Sequence, residues 1–279
     1  MPSPSEALPV AARHDVYPAV SPDPHFADQT FKGKVVFETD ASRGIGQEIA
    51  TTYAKAGASV ITARRQKTLD DVRATILGLV PHADILTIPV DVTQIKHVEA
   101  AVVITIEKFG KLDICAANAG DSRLLDKLLR EQDPEEWWRI MEVNIRGVYN
   151  TAHQGHFFAM ASTAGQMRLP RMSAYGLSKH AVIRLIEFIA LEYPSLKTFA
   201  FPPGLIQTEL FIKNPHYAPP EYDSVQLPAA TLLYLSAGKA DWLSGRYVDA
   251  AWDLEEVERD WKDKILESQA LVNRLTIPL

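Results

Sequence analysis

The sequence has a single cysteine, Cys115, among 279 residues. No intrachain disulfide can form, which excludes a small secreted scaffold held by crosslinks and fits a reducing compartment. Long apolar runs are also missing, and none approaches the roughly 20 residues that a membrane-spanning helix needs. Positive charge is in deficit: 29 Lys and Arg stand against 35 Asp and Glu, for a formal charge of −6. A dedicated nucleic-acid binder needs a basic face, so that class is set aside. What remains, 47% hydrophobic and 23% charged residues, is the balance of a globular domain. Its expected place is the cytoplasm, with a small molecule as partner and neither nucleic acid nor membrane.

The first thirty residues differ from the rest. They hold six prolines, at positions 2, 4, 9, 18, 22 and 24, and no apolar periodicity. Lacking a continuous apolar stretch they do not read as a signal peptide, and several acids with few arginines argue against a transit peptide. Residues 1–30 read as an irregular arm that lies on the domain or is partly disordered. An arm that reaches a subunit interface or an active-site rim is the alternative.

From residue 34 short apolar runs alternate with amphipathic stretches. Strands are expected at 34–39, 59–63, 85–90, 112–117, 156–162, 197–201 and 247–250. Helices are expected at 45–56, 68–80, 93–109, 174–193, 228–236 and 254–271, with Thr68 and Asp71 at capping-box spacing. Asp133-Pro134-Glu135-Glu136 opens a further long helix, with an N-cap acid followed by proline. Strands that are apolar throughout and alternate with helices imply a parallel sheet covered on both faces. The fold class is therefore α/β, a doubly wound, mostly parallel sheet in one domain spanning 31–279. Such sheets bind ligands beyond the carboxyl ends of their strands, at the switch point.

The residues that carry chemistry cluster at those ends. Thr39-Asp40-Ala41-Ser42-Arg43-Gly44-Ile45-Gly46 follows a strand and opens a helix, where free N–H groups and the helix dipole favour a phosphate. The second strand runs into Arg64-Arg65. An acid there would hold a ribose 2′-hydroxyl, whereas arginine suits a 2′-phosphate. Together with Arg43, this favours NADP over NAD. Tyr175 and Lys179 are four apart, so they share one helix face, and Ser162 lies thirteen residues before the tyrosine. An ammonium beside a phenol lowers its pKa. A phenol so tuned can exchange a proton with an alcohol or carbonyl oxygen, and Ser162 can hold that oxygen.

The ordered set resembles the short-chain dehydrogenase/reductase family over residues 31–270. It comprises the turn at 39–46, Asp91, Asn118-Ala119-Gly120, Asn144, Ser162, Tyr175, Lys179 and Pro203-Gly204 with Thr208. The resemblance implies a Rossmann fold and reversible NAD(P)-dependent oxidation of an alcohol or reduction of a carbonyl. Tyr175 would be the acid/base. Lys179 would tune it and bind the nicotinamide ribose, Ser162 would polarise the substrate, and Asn144 would hold a relay water. Cofactor contacts would run through Thr39, Ser42, Arg43, Gly44, Ile45, Gly46, Arg64, Asp91, Val92, Asn118, Ala119, Gly120, Tyr175, Lys179, Pro203, Gly204, Ile206 and Thr208. Asp91 would sit at the adenine and Thr208 at the carboxamide. A homodimer or homotetramer built on the two long helices would follow.

Three departures from the family pattern bear on activity. Asp40 stands where the family has its first turn glycine, Ala117 where it often has asparagine, and the segment between Asn144 and Ser162 is short by roughly two helical turns. The helix there is expected to be truncated, partly stretched, or followed by a strand that starts high. Asp40 and the shortened segment motivate a second hypothesis, a cofactor-impaired binding or scaffold protein; epimerisation or dehydration on the same fold is a third. Leu205, Leu210, Phe211, Ile212, Tyr217 and Tyr222 follow the proline–glycine pair and point to an apolar or aromatic carbonyl substrate, or simply to a packed lid. His153 and His156 lack a third ligand at metal spacing, so no metal is expected. Gly165 lies in no nucleophile elbow. Cys115 reads as a core residue, and of Trp137 and Trp138 one is expected to pack inward.

Overall fold

The structure is a computed structural model that describes residues 8–63, 66–123, 125–152 and 155–275, with only the backbone of 61–63 and 66–67. Its strands are β1 (Val35–Thr39), β2 (Ser59–Ala63), β3 (Ile85–Ile88), β4 (Ile114–Ala117), β5 (His156–Met160), β6 (Lys197–Phe201) and β7 (Arg246–Tyr247). They form one sheet in the order β3-β2-β1-β4-β5-β6-β7, and every pairing is parallel. The winding reverses between β1 and β4. Crevices for ligands open at the carboxyl ends of strands at such a reversal.

The strand residues divide by alternation. Val36 points to one core with Ile49 and Tyr53 of α2 (Gly44–Lys55), Val72 and Ile76 of α3 (Gln66–Leu79) and Leu232 and Leu233 of α9 (Gln226–Ser236). Val35 and Phe37 point to the other, with Val98 and Ala101 of α4 (Ile95–Phe109) and Val182, Ile183 and Ile186 of α7 (Ser173–Glu192). Burial on both faces is why these strands read as continuous apolar runs. The start of α3 differs from expectation. The helix already includes Gln66, so Thr68 lies inside it and does not cap it. The final strand is confined to Arg246–Tyr247, paired with Phe199 and Ala200 of β6.

The helix opened by Asp133 is not continuous. Asp133 caps α5 (Pro134–Met141) by accepting from the N–H groups of Glu135 and Glu136, as its spacing predicts. A π-helical turn, Glu142–Arg146, follows and buries Asn144. Then α6 (Gly147–Thr151) ends at an extended Ala152. Truncation, not stretching, accounts for the short segment, since β5 pairs from its first residue, His156, with Ile114 and Lys197. Gly155 makes this return possible. Its φ is +85°, and an added Cβ would collide with the Asp113 carbonyl. The C-terminal region, expected as one surface helix, is also interrupted. It runs α10 (Leu254–Glu256), a π turn (Val257–Trp261) and α11 (Lys262–Ser268), and it buries Val257 and Ile265.

The described part of the arm is docked. Ala12 bridges Trp252, Tyr17 donates to the Trp252 carbonyl, and Val20 and Phe31 are buried in the core with α2 and α9. Short helices occur at Pro18–Val20 and at α1 (Asp23–Asp28).

Glu38, in the middle of β1, is fully buried, and neither carboxyl oxygen has a hydrogen-bond partner. Desolvation, helped by the negative charge of Asp40, pushes its pKa well above the usual carboxyl range; only the Asn118 amide pulls weakly the other way. The folded protein therefore keeps this proton while the unfolded chain releases it above 4.5. Stability is full below that value and declines as pH rises toward the folded-state pKa, by up to about 1.4 kcal/mol per pH unit. Chemical denaturation at about pH 5 and about pH 8 should show this decline in wild type and a flatter profile in Glu38→Gln.

Candidate active site

The turn after β1 meets the N-terminus of α2. No side chain caps that helix end, and the space around Gly44 is open, with nothing within 4 Å of where a Cβ would stand. Free N–H groups, the dipole and an open cradle suit the pyrophosphate of a dinucleotide. Asp40 holds the position of the missing glycine with φ +62°, the left-handed conformation that Asp tolerates better than most residues. Its carboxylate accepts from the Ser42 hydroxyl at 2.8 Å. Ile45 packs against the core on the α2 side. Thr39 is buried and spends its hydroxyl internally, donating to the Ala116 carbonyl and accepting from Ala119 N–H. Asn118 donates to the Thr39 and Asp40 carbonyls. The turn and the loop at 118–120 are thus tied to each other across the switch point.

Beyond β3, Asp91 stands exposed. Desolvation would raise its pKa, but hydrogen bonds from the Thr93 hydroxyl and N–H outweigh it and hold the carboxyl low. Val92 packs its side chain against Gly147 and offers its carbonyl to Asn150. Arg64 and Arg65 lie outside the described residues. Arg43 is described, and its guanidinium is paired with Glu209, at the start of α8 (Glu209–Lys213). Glu209 also pairs with Lys213, 3.1 Å away. This contact between the glycine turn and the lid had no signal in the sequence.

Opposite lie Lys179, Tyr175, Ser162 and Asn144. Lys179 is 4% exposed, with its ammonium 5.7 Å from the centroid of the Tyr175 ring. It donates to the Met160 carbonyl at the end of β5, 2.6 Å away. Burial lowers its pKa to about 8. Burial raises the Tyr175 phenol, and a hydrogen bond with Ser162 works against that rise. Ser162 also accepts from Ala164 N–H. Asn144 is fully buried, and its side chain is committed: it donates to the Asp121 carbonyl and to Ser178 Oγ, and accepts from Asp121 N–H. Ser178 donates in turn to the Tyr175 carbonyl. The amide therefore locks the π turn to α7 and to the loop after Gly120. A Cβ at Gly120 would stand 3.4 Å from Asn144 Oδ1 and 3.6 Å from Lys179 Nζ.

Pro203 and Gly204 follow β6, Ile206 is buried, and Thr208 precedes α8. The lid is stapled down by Asn214, which accepts from Leu125 N–H and donates to the Arg123 and Leu210 carbonyls. Tyr217 donates to the Pro170 carbonyl and joins Leu125, Ala164, Met172 and Leu169 in an apolar cluster that includes Tyr175. Phe211 stacks edge-on with Tyr222. Asn214 is a residue that sequence reasoning missed, since two of its partners, Leu125 and Arg123, lie some 90 positions away. His156 is engaged with Asp241, and His153 lies outside the described residues. Cys115 is buried beside the Thr151 carbonyl. Trp137 reaches Ser173 with its indole N–H, while Trp138 is 62% exposed.

The strand order, the turn and helix N-terminus at the switch point, and a single sheet among the described residues define a single-domain, dinucleotide-fold α/β protein. A short chain dehydrogenase profile matches residues 34–217. The short chain dehydrogenase pigC of Monascus ruber is 32% identical over 92% of this chain and 90% of its own length. The short chain dehydrogenase andI of Emericella variicolor is 31% identical over 88% of each chain. A crystal structure of a short-chain type dehydrogenase/reductase from Mycobacterium marinum superposes with a TM-score of 0.73 at 27% identity, covering 82% of this chain and 97% of that one. The chain belongs to the short-chain dehydrogenase/reductase family, whose members are NAD(P)-dependent oxidoreductases acting on small molecules. Among the described residues no helix is long and apolar enough to cross a membrane.

Proposed function

We propose that this protein interconverts a secondary alcohol and a carbonyl with NADP(H), using Tyr175 as the acid/base. The observation that carries the reading is the buried Lys179 ammonium, 5.7 Å from the centroid of the Tyr175 ring. When bound, the nicotinamide supplies or accepts the hydride. The pyrophosphate would rest on the α2 N-terminus at residues 42–46, the adenine near Asp91 and Val92, and the nicotinamide near residues 203–208. In the reductive direction the phenol, kept protonated by burial, gives its proton to the carbonyl oxygen that Ser162 holds. Lys179, a cation below about pH 8, stabilises the phenolate left behind. Asn144 anchors the π turn against Tyr175 through Ser178. The cluster of Leu125, Met172, Leu169 and Tyr217 beside the phenol supports an apolar carbonyl substrate. The lone buried cysteine supports a cytoplasmic setting, and the exposed Trp138, Tyr149 and Leu191 on α5, α6 and α7 support self-association.

The reading favours NADPH over NADH, because arginine at 43 and 64 provides charge-assisted bonds to a 2′-phosphate. Fluorescence titration is expected to give tighter NADPH binding by roughly tenfold to a hundredfold, the equivalent of about 1.4–3 kcal/mol. Arg64→Ala should narrow that gap. Equal affinities for both cofactors in wild type would contradict the assignment. The scaffold alternative rests on Asp40 and the shortened segment between Asn144 and Ser162, and no NADPH binding at millimolar concentration would favour it.

A further inference from the structure

Asp223, in the loop ahead of α9, belongs to no motif of the sequence. Its side chain is 4% exposed, and a carboxyl is retained in such a place where donors surround it. Oδ2 accepts from Leu205 N–H at 2.6 Å. Oδ1 accepts from His14 Nδ1 at 2.6 Å. The Asp223 N–H closes a reciprocal pair by donating to the Leu205 carbonyl at 3.0 Å, and the next N–H, of Ser224, donates to the His14 carbonyl at 2.8 Å. Gly204 stands between these contacts at φ +88°. A Cβ on it would come 2.5 Å from Asp223 Oδ2, so the carboxyl is packed directly onto the proline–glycine turn. His14 follows an anchored stretch of the arm, where Ala11 N–H donates to Glu256 and Arg13 pairs with Asp253.

We infer that Asp223 is a positioning residue for the loop at 203–205, and that the N-terminal arm, through His14, is part of the apparatus that shapes the nicotinamide side of the site. This rests on the proposed placement of the nicotinamide near residues 203–208. A glycine turn without a side chain of its own samples many conformations. Only the one that fits the cofactor binds it, so apparent affinity falls in proportion to the time the loop spends elsewhere. Asp223 fixes both polar groups of Leu205 in a single pose, and His14 fixes Asp223.

Two measurements test this, and the first needs no cofactor. Amide exchange of the cofactor-free protein should show Leu205 protected in wild type, with exchange at least tenfold faster in Asp223→Ala. The second is NADPH titration by fluorescence. Asp223→Ala should weaken binding about tenfold or more, Asp223→Asn should recover part of the loss by keeping an oxygen for Leu205, and His14→Ala should fall between Asp223→Ala and wild type. His156→Ala breaks the bond to Asp241 at the start of β5, away from both the arm and Asp223. It should lower the thermal midpoint yet leave NADPH affinity within about twofold, a control that separates positioning from general loss of packing. An unchanged Leu205 amide in Asp223→Ala, unchanged affinity in that variant, or an equal loss in His156→Ala would each overturn the inference. Failure of wild type to bind NADPH overturns the proposed function itself, and is told apart because it appears before any substitution is made.

Discussion

Tyr175→Phe is expected to lower kcat by a factor between about 10² and 10⁴, the range that a positioned acid/base contributes. NADPH affinity should stay within about twofold, because the ring that packs against Leu125, Ala164 and Met172 is retained. The split is informative, since loss of a proton that moves only during reaction shows in kcat and not in cofactor binding. Lys179→Ala should behave differently. It removes a cation beside the phenol and leaves the Met160 carbonyl, now served by Lys179 Nζ, without its donor. An unsatisfied buried acceptor costs about 1–3 kcal/mol, so the thermal midpoint, cofactor affinity and turnover should all fall. Steady-state kinetics paired with fluorescence titration check both variants, and full activity in Tyr175→Phe would remove that residue from the mechanism.

Asp40→Gly should tighten NADPH binding by about tenfold to a hundredfold. Two like charges about 5 Å apart at an effective dielectric of about 20 repel by about 3 kcal/mol. The carboxylate is held at the turn by Ser42, beside the helix end that suits the pyrophosphate. The same substitution removes a left-handed conformation from a residue with a Cβ, a strain of about 1–2 kcal/mol, so the thermal midpoint should rise as well. Measured in one variant, affinity and turnover separate two causes of weak activity. Tighter binding with unimproved kcat would locate the defect at Asn144 and Ser162, where a misplacement of about 1 Å costs a large rate factor. Unchanged affinity would show that the Asp40 charge does not act on the phosphates.

The strands were legible because a two-faced parallel sheet writes itself as local apolar runs, and all seven start within two residues of where those runs begin. Tyr175 and Lys179 were legible as neighbours because helical spacing alone brings positions four apart together. What could not be read was of two kinds. The π turn at Glu142–Arg146 and the early stop of α6 at Thr151 preserve the apolar pattern, so only a count of lengths hinted at them. The contacts that commit Asn144 to Asp121, Arg43 to Glu209 and Asp223 to Leu205 join positions far apart along the chain. Such contacts have no period, and each residue alone looks like an ordinary polar side chain. The buried Glu38 is the opposite case: it was visible within an apolar strand, but its lack of partners depends on neighbours from other elements.

The seating of the arm has a consequence for biosynthesis. Arg13 and its partner Asp253 are separated by 240 residues, and the bridge from Ala12 to Trp252 spans the same length of chain. At about 5–20 residues translated per second, roughly 12–48 s pass between the appearance of the two sides. During that interval the arm has no surface to dock on, and Tyr17 lacks the Trp252 carbonyl and Leu254 N–H that satisfy its hydroxyl. Strands β1 to β4 can assemble in the meantime, but the arm, made before any of them, is among the last elements to find its place.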